Sequence, residues 1–124
     1  MFDSPILFLD DDFWIRADNC GFLREHGFTV LEAFDAPTAL RVIDQHSGLL
    51  ALVTDIDLGP GANGFDIARH ARSVYPRLPV VYISGTAASR HRLEGVEGSD
   101  FISKPFAPQK IVEALDRAIY LEAA

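Results

Sequence analysis

Five short apolar runs, separated by longer segments of mixed polarity, constrain the fold of this 124-residue chain. The runs are Pro5–Leu9, Phe28–Leu31, Leu49–Thr54, Leu78–Ser84 and Phe101–Ser103. Several are apolar at consecutive positions, which is typical of strands buried on both faces of a parallel sheet. Because the segments between them have helical spacing, the sequence predicts an α/β fold, a (βα)5 doubly wound five-stranded parallel sheet. We expect a single domain over residues 1–124, with its core at about 5–120.

The segments between the runs carry helix signals of unequal strength. The segment Phe13–His26 predicts a helix with an apolar face (Ile15, Cys20, Phe22, Leu23) and a solvent face (Arg16, Asp18, Arg24, Glu25). Asp35 and Pro37 mark the start of a second helix, and a third apolar stripe runs from Phe65 to Val74. The last helix is predicted over Pro108–Glu122. The helix predicted within Thr86–Gly98 is the weakest, because two glycines interrupt it.

Charge and composition exclude several classes of partner. The chain has 18 acidic residues against 11 basic ones, a formal net charge of −7 that would repel a nucleic acid backbone. Cys20 is the single cysteine, which excludes an internal disulfide and a multi-cysteine metal site. No apolar run approaches the roughly 18 residues that span a bilayer, and the N-terminus lacks the basic start of a signal peptide. We therefore expect a cytoplasmic protein with no membrane or direct nucleic acid contact.

Polar residues follow the predicted strands at the point where each strand ends. Asp10-Asp11-Asp12 follows the first strand and Asp55-Ile56-Asp57 the third, Ser84 ends the fourth, and Lys104 follows the fifth. In doubly wound sheets, ligands bind beyond the carboxyl ends of the strands. If the first and third strands are neighbours, the carboxylates converge at a cost in repulsion that a hard cation such as Mg²⁺ relieves. Carboxylates, a cation, a hydroxyl and a lysine suit phosphoryl transfer, with an aspartate able to act as nucleophile.

Four runs, ILFLDDD, ALVTDIDLGPGANG, VVYISG and DFISKPF, occur in this order at the strand ends. With them the chain resembles, from Ile6 to about Ala118, the receiver domain of bacterial two-component response regulators, which has a flavodoxin-like fold. The resemblance implies that Asp55 is the phosphoacceptor. It also implies a Mg²⁺ site in which Asp11 ligates directly, Asp10 acts largely through a bound water, and Asp55 and the backbone carbonyl of Asp57 complete the protein ligands.

The resemblance extends to the residues that respond to phosphorylation. Ser84 occupies the hydroxyl position that follows the phosphoryl group during switching, and Lys104 would pair with Asp55 or its phosphate. Phe101 takes the aromatic switch position, although an aromatic residue there also suits an ordinary core. The Lys104–Pro105 peptide bond is expected to be cis.

The same resemblance predicts the partners. A sensor histidine kinase or a histidine phosphotransfer protein would supply the phosphoryl group from a phosphohistidine, and slow self-dephosphorylation would follow. We therefore expect a signalling domain and not an enzyme, acting on an unknown protein target through the face around Phe101, residues 86–98 and the last helix. A homodimer through that face stays open.

The sequence departs from the family pattern in four respects. Pro60 and Gly64 each lie one residue later than usual after Asp55, so the loop contains one inserted residue. Gly85 replaces the commoner alanine, and the spacing from Ser84 to Lys104 is slightly short. Receivers are usually joined to an output domain, and the chain as given has none, which predicts a stand-alone receiver.

Other functions fit parts of the same pattern. Asp55-x-Asp57 after an apolar strand also resembles the start of haloacid-dehalogenase-type phosphohydrolases, but Gly59 stands where their motif has another residue type. A receiver-like binding module that takes no phosphate is a further alternative. Binding of FMN is disfavoured because three aspartates after the first strand would repel its phosphate. Asp12 is expected to cap the first helix.

Overall fold

Five strands and five helices alternate along the chain. The computed structural model describes residues 4–85 and 88–123, with residues 88, 89 and 120–123 described by their backbone only. The elements are β1 (Ile6–Leu9), α1 (Phe13–Glu25), β2 (Val30–Ala33), α2 (Ala36–Gln45), β3 (Ala51–Asp55), α3 (Gly64–Val74), β4 (Val80–Ser84), α4 (Ala88–Glu94), β5 (Asp100–Ser103) and α5 (Gln109–Ala123).

The strands form one parallel sheet in the order β2-β1-β3-β4-β5. This confirms the predicted fold class. The strand order reverses between β1 and β3, which lie side by side with Leu9 opposite Thr54. The carboxyl ends of these two strands therefore meet at the switch point of the sheet, where doubly wound folds bind their ligands.

Two apolar layers cover the sheet, one on each face. Alternate residues of the central strands enter opposite layers, so that Leu52 packs towards α2 and α3 while Val53 packs towards α1 and α5. Every residue of β1, β3 and β4 is buried. Burial on both faces explains why these strands are apolar at consecutive positions.

The strand boundaries differ from the apolar runs. The second strand was predicted over Phe28–Leu31 but occupies Val30–Ala33, because the Phe28 N–H donates to the Leu23 carbonyl in the turn that ends α1. Gly27 makes this turn with a φ of 91°. β3 and β4 also begin two residues after their apolar runs start, at Ala51 and Val80. Apolar residues in these places pack in the turns that enter the strands.

Two helical side chains were assigned to the wrong environment. Arg16, predicted to face solvent, has only 14% of its side chain exposed, because it extends from α1 to Glu32 on β2. Val74, counted in the third apolar stripe, is 42% exposed at the last residue of α3. Charge alone predicts exposure poorly when an ion-pair partner lies on the adjacent strand.

The weak helical signal before β5 corresponds to a short α4 of seven residues. Gly95 ends it, and a Cβ at that position would clash with the backbone and ring of His91. Thr86 and Ala87, where the prediction began, lie outside the described residues. Within the described part of the chain, no helix is long and apolar enough to cross a membrane.

Candidate functional site

Three carboxylates converge where β1 and β3 end. Asp10 follows β1 and is fully buried, Asp55 is the last residue of β3 and is 6% exposed, and Asp11 is exposed. One oxygen from each of these three carboxylates lies within 4.8 Å of the other two. The topology therefore brings together two acidic segments that are more than 40 residues apart.

Asp10 is held in place by three hydrogen bonds. Its N–H donates to the Ala33 carbonyl at 3.2 Å, its carbonyl accepts from Arg16 at 2.8 Å, and its Oδ1 accepts from the Asp12 N–H at 2.9 Å. Its Oδ2 is buried with no hydrogen bond among the described residues. A desolvated carboxylate oxygen beside two other carboxylates is costly unless a cation neutralises it. The donor set, all oxygen, fits Mg²⁺.

Asp12 is separated from the cluster by its role at the helix start. Its Oδ1 accepts from the N–H groups of Trp14 and Ile15 at 2.9 and 3.0 Å, which makes it the N-cap of α1. This confirms the prediction for Asp12, and it leaves Asp10 and Asp11 as the acids of this run that face the site.

Lys104 brings a cation to the same point. Its Nζ lies 3.3 Å from Oδ2 of Asp10 and donates to Oδ2 of Asp55 over 3.3 Å. Its backbone N–H donates to the Ser84 carbonyl at 2.9 Å, which ties the end of β5 to the end of β4. The Lys104–Pro105 peptide bond is cis.

Burial dominates the electrostatics of the site. Desolvation, followed by the charge of Asp10, raises the pKa of Asp55 to about 6, although Lys104 opposes this shift. Desolvation also raises the pKa of Asp10. Burial alone would lower the pKa of Lys104, but the two carboxylates outweigh it and raise that pKa. The lysine therefore stays charged, and it neutralises part of the negative charge that the aspartates share.

Comparison with known proteins identifies this arrangement. The family model described as the response regulator receiver domain matches residues 6–116. The chain belongs to this family. It is 32% identical over 108 residues to the transcriptional regulatory protein CreB of Escherichia coli, a match that covers 79% of this chain and 46% of that protein. It is also 32% identical over 111 residues to the phosphate regulon regulator PhoB of Escherichia coli, covering 86% and 48%.

Solved structures give the same assignment. A response regulator receiver protein from Sinorhizobium medicae superposes with a TM-score of 0.90 at 30% identity, with 94% of each chain covered. The receiver domain of the hybrid histidine kinase CckA gives a TM-score of 0.78 at 27% identity, covering 94% of this chain and 99% of that one. The chain spans about half the length of the curated relatives it matches.

The other predicted site residues of this receiver lie on β4, on β5 and in the loop after β3. Ser84 is buried at the end of β4, the strand next to β3. Phe101 is half-buried on β5, and its ring stacks on His91 of α4 with centroids 5.6 Å apart. The Asp57 side chain is exposed and lies 3.8 Å from Arg90, outside the carboxylate cluster. Only the backbone of Asp57 remains as a candidate contributor to the site.

Glycines accommodate the inserted residue in the β3–α3 loop of the receiver. Gly59 and Gly61 take positive φ angles of 84° and 96°, a region that favours glycine. The loop closes where the Gly64 N–H donates to the Ile56 carbonyl at 2.8 Å. A Cβ on Gly64 would collide with the Asp55 carbonyl oxygen and lie 2.9 Å from the Ile56 Cα. The backbone beneath Asp55 is therefore tightly packed at the end of this loop.

Sequence reasoning missed two residues near the site. Arg16 holds the Asp10 carbonyl, and Asn19 is buried on α1 with its amide N–H donated to the Ile15 carbonyl. Asn19 lines a groove of about 840 Å³ that also includes Trp14, Lys104 and residues of the β5–α5 loop. No sequence motif marks either position on α1. The one available signal for Arg16 was Glu32, an acidic residue on β2 with which Arg16 forms an ion pair.

Proposed function

We propose that this receiver accepts a phosphoryl group on Asp55 from a phosphohistidine of a sensor histidine kinase or histidine phosphotransfer protein, and that it signals through protein contacts. The observation that supports this most directly is the meeting of Asp10, Asp11, Asp55 and Lys104 at the switch point of the sheet. Carboxylates alone would repel a phosphate. With a lysine and a divalent cation among them, the same point attracts one.

The transfer is a displacement at phosphorus. A carboxylate oxygen of Asp55 attacks the phosphorus atom, the bond from phosphorus to the histidine nitrogen breaks, and the imidazole leaves with the bonding pair and takes up a proton. Asp55 must be ionised to attack, and Lys104 favours that form by donating to its Oδ2. In such transfers the protein contributes mainly position and charge neutralisation.

Mg²⁺ would be held by Asp10, Asp11, Asp55 and the backbone carbonyl of Asp57, with Asp11 as a direct ligand and Asp10 acting largely through a water. When bound, Mg²⁺ neutralises charge on the phosphoryl oxygens. The buried Oδ2 of Asp10 accepts no hydrogen bond among the described residues and has the Lys104 ammonium 3.3 Å away, an ammonium that Asp55 shares, which supports this assignment. Because Asp10 and Asp55 are buried, bulk water screens their charges less than it would at the surface.

Ser84 and Phe101 would carry the response. The Ser84 hydroxyl would donate to a phosphoryl oxygen, which moves the end of β4 towards Asp55. Phe101 would then change rotamer and alter the face formed with α4 and α5, where the protein target or a second receiver binds. Its half-buried ring stacks on His91 of α4, and this contact supports a coupling of such a change to α4.

The donor would approach beside Lys104. The groove there is apolar over most of its surface and includes Trp14, whose residue surface is 78% exposed. An exposed tryptophan in a groove that extends to Lys104 suits contact with another protein.

Intact mass after incubation with acetyl phosphate tests the proposal. We expect one added phosphoryl group that requires Mg²⁺ and is lost in Asp55→Asn. Asp12→Asn is the matched control, because it removes one charge from the same cluster of loops while asparagine still caps α1; it should be phosphorylated like the native chain.

Two outcomes would contradict the proposal. Absence of an adduct together with absence of Mg²⁺ and beryllofluoride binding, followed through Trp14 fluorescence, would indicate a binding module that takes no phosphate. Sustained release of phosphate over many turnovers of a small phosphate ester would indicate a phosphohydrolase.

A further inference from the structure

Arg16 connects three parts of the receiver that meet near the acidic cluster. From α1, its Nε pairs with Oε1 of Glu32 on β2 at 3.2 Å, and its Nη1 donates to the Asp10 carbonyl at 2.8 Å. With 14% of the side chain exposed, the guanidinium has little access to water. A guanidinium whose Nε and Nη1 are both hydrogen-bonded has a defined orientation, which a flexible surface cation lacks.

Among the described residues, the hydrogen bond from Arg16 to the Asp10 carbonyl is the one that joins Asp10 to a side chain of α1. The Asp10 N–H is bound by β2, and its Oδ1 is bound by the Asp12 N–H. The first contact therefore comes from the neighbouring strand and the second from the loop itself. Without Arg16, the peptide plane between Asp10 and Asp11 would lose its restraint from α1. That peptide joins the two residues whose carboxylates lie in the cluster with Asp55.

We infer that Arg16 is a positioning residue for the divalent cation site, acting through the Asp10 carbonyl; this inference rests on the proposed Mg²⁺-dependent function. It holds the Asp10–Asp11 peptide so that the buried Oδ2 of Asp10 and the carboxylate of Asp11 point to the place where Asp55 ends β3. Glu32 orients the Arg16 guanidinium and offsets its positive charge. Arg16 therefore supplies its hydrogen bonds with little repulsion of Mg²⁺.

Arg24 provides a matched comparison. It pairs with the other oxygen of the same carboxylate, Oε2 of Glu32, at 3.0 Å, and it donates to the Val30 carbonyl at 3.0 Å. It therefore ties α1 to β2 as Arg16 does, but among the described residues it makes no hydrogen bond or ion pair with Asp10, and it lies about two helical turns further along α1. A role that consists only of joining α1 to β2 would be shared by both arginines.

The sign of the effect separates positioning from simple electrostatics. Removing a positive charge near an acidic cluster should strengthen binding of a divalent cation if charge alone matters. Loss of a restraint on two ligand residues should weaken binding. The two readings therefore predict opposite changes for Arg16→Gln.

The test is isothermal titration of Mg²⁺ into the native chain, Arg16→Gln, Arg24→Gln and Arg16→Lys, with urea unfolding of each protein in EDTA. We expect Arg16→Gln to weaken Mg²⁺ binding about tenfold, which corresponds to one charged hydrogen bond. Arg24→Gln should bind within about twofold of the native chain, whatever its loss of stability. Arg16→Lys keeps the charge without the fork and should be intermediate.

Unchanged or tighter Mg²⁺ binding in Arg16→Gln would overturn the inference, as would equal weakening in Arg24→Gln. If Arg16→Gln does not fold, Arg16→Lys decides, and native affinity in that variant would count against positioning. If the native chain itself binds no Mg²⁺, the proposed function fails and the inference fails with it. If the native chain binds Mg²⁺ and Arg16→Gln binds it equally well, the inference is overturned and the proposed function is not.

Discussion

At the scale of single residues, the Asp55 carboxylate occupies a place where its charge is unfavourable in the absence of a cation. It is nearly buried, it faces the carboxylate of Asp10, and its one strong compensation is Lys104. Functional sites commonly retain such conflicts because the unfavourable group is the one that reacts. The conflict makes a direct prediction for the stability of the metal-free protein.

Asp55→Asn should stabilise the metal-free protein at pH 7.5. The pKa of Asp55 rises from 3.8 in the unfolded chain to about 6 in the folded one, so the folded state binds more protons between these values. Its contribution to stability is therefore most favourable below about pH 4 and is lost as the pH rises through about 6. Removing the charge should add about 2–3 kcal/mol to the free energy of unfolding at pH 7.5 and much less at pH 4.5.

Urea unfolding in EDTA at the two pH values measures this difference. Asp12→Asn makes the same change of charge at an exposed helix cap and should alter stability by at most about 0.5 kcal/mol. Equal or lower stability of Asp55→Asn at pH 7.5 would mean that Asp55 carries no unfavourable charge in the fold.

At the scale of elements, the sequence predicts the sheet better than its boundaries. The consecutive apolar residues of β1, β3 and β4 identify strands buried on both faces, and that inference needs no tertiary contact. The start of β2 could not be predicted in the same way, because Phe28 is apolar and buried but packs in the turn that precedes the strand. Apolarity reports burial and does not report hydrogen bonding in the ladder.

The β3–α3 loop should tolerate less change than its exposed surface suggests. Gly64→Ala places a methyl group against the Asp55 carbonyl and the Ile56 Cα, both of which are backbone atoms that cannot rotate away. We expect a loss of about 1–3 kcal/mol in the free energy of unfolding. Gly21→Ala is the control, since nothing lies within 4 Å of a Cβ there and α1 should gain about 1 kcal/mol from alanine.

Thermal and urea unfolding of the two alanine variants checks this contrast. A Gly64→Ala protein as stable as the native chain would show that the backbone beneath the acceptor can shift, and the tight packing described for Asp55 would then be wrong.

At the scale of the whole molecule, the switch in strand order creates the candidate site. Residues of the first and third strands meet because β1 and β3 are neighbours, and the sequence predicted their convergence only on that condition. The meeting of Asp10, Asp55 and Lys104 could be anticipated because each lies at a strand end. Arg16 could not, because its contribution depends on a carbonyl and a glutamate brought together by the fold.

The position of the phosphoryl group shows directly whether Asp55 is the phosphoacceptor. After reaction with acetyl phosphate and Mg²⁺, hydride reduction converts an aspartyl-phosphate to homoserine, and peptide mass spectrometry locates the converted residue. We expect homoserine at position 55 alone. Conversion at position 10 or 11, or phosphate on a side chain outside the carboxylate cluster, would contradict it.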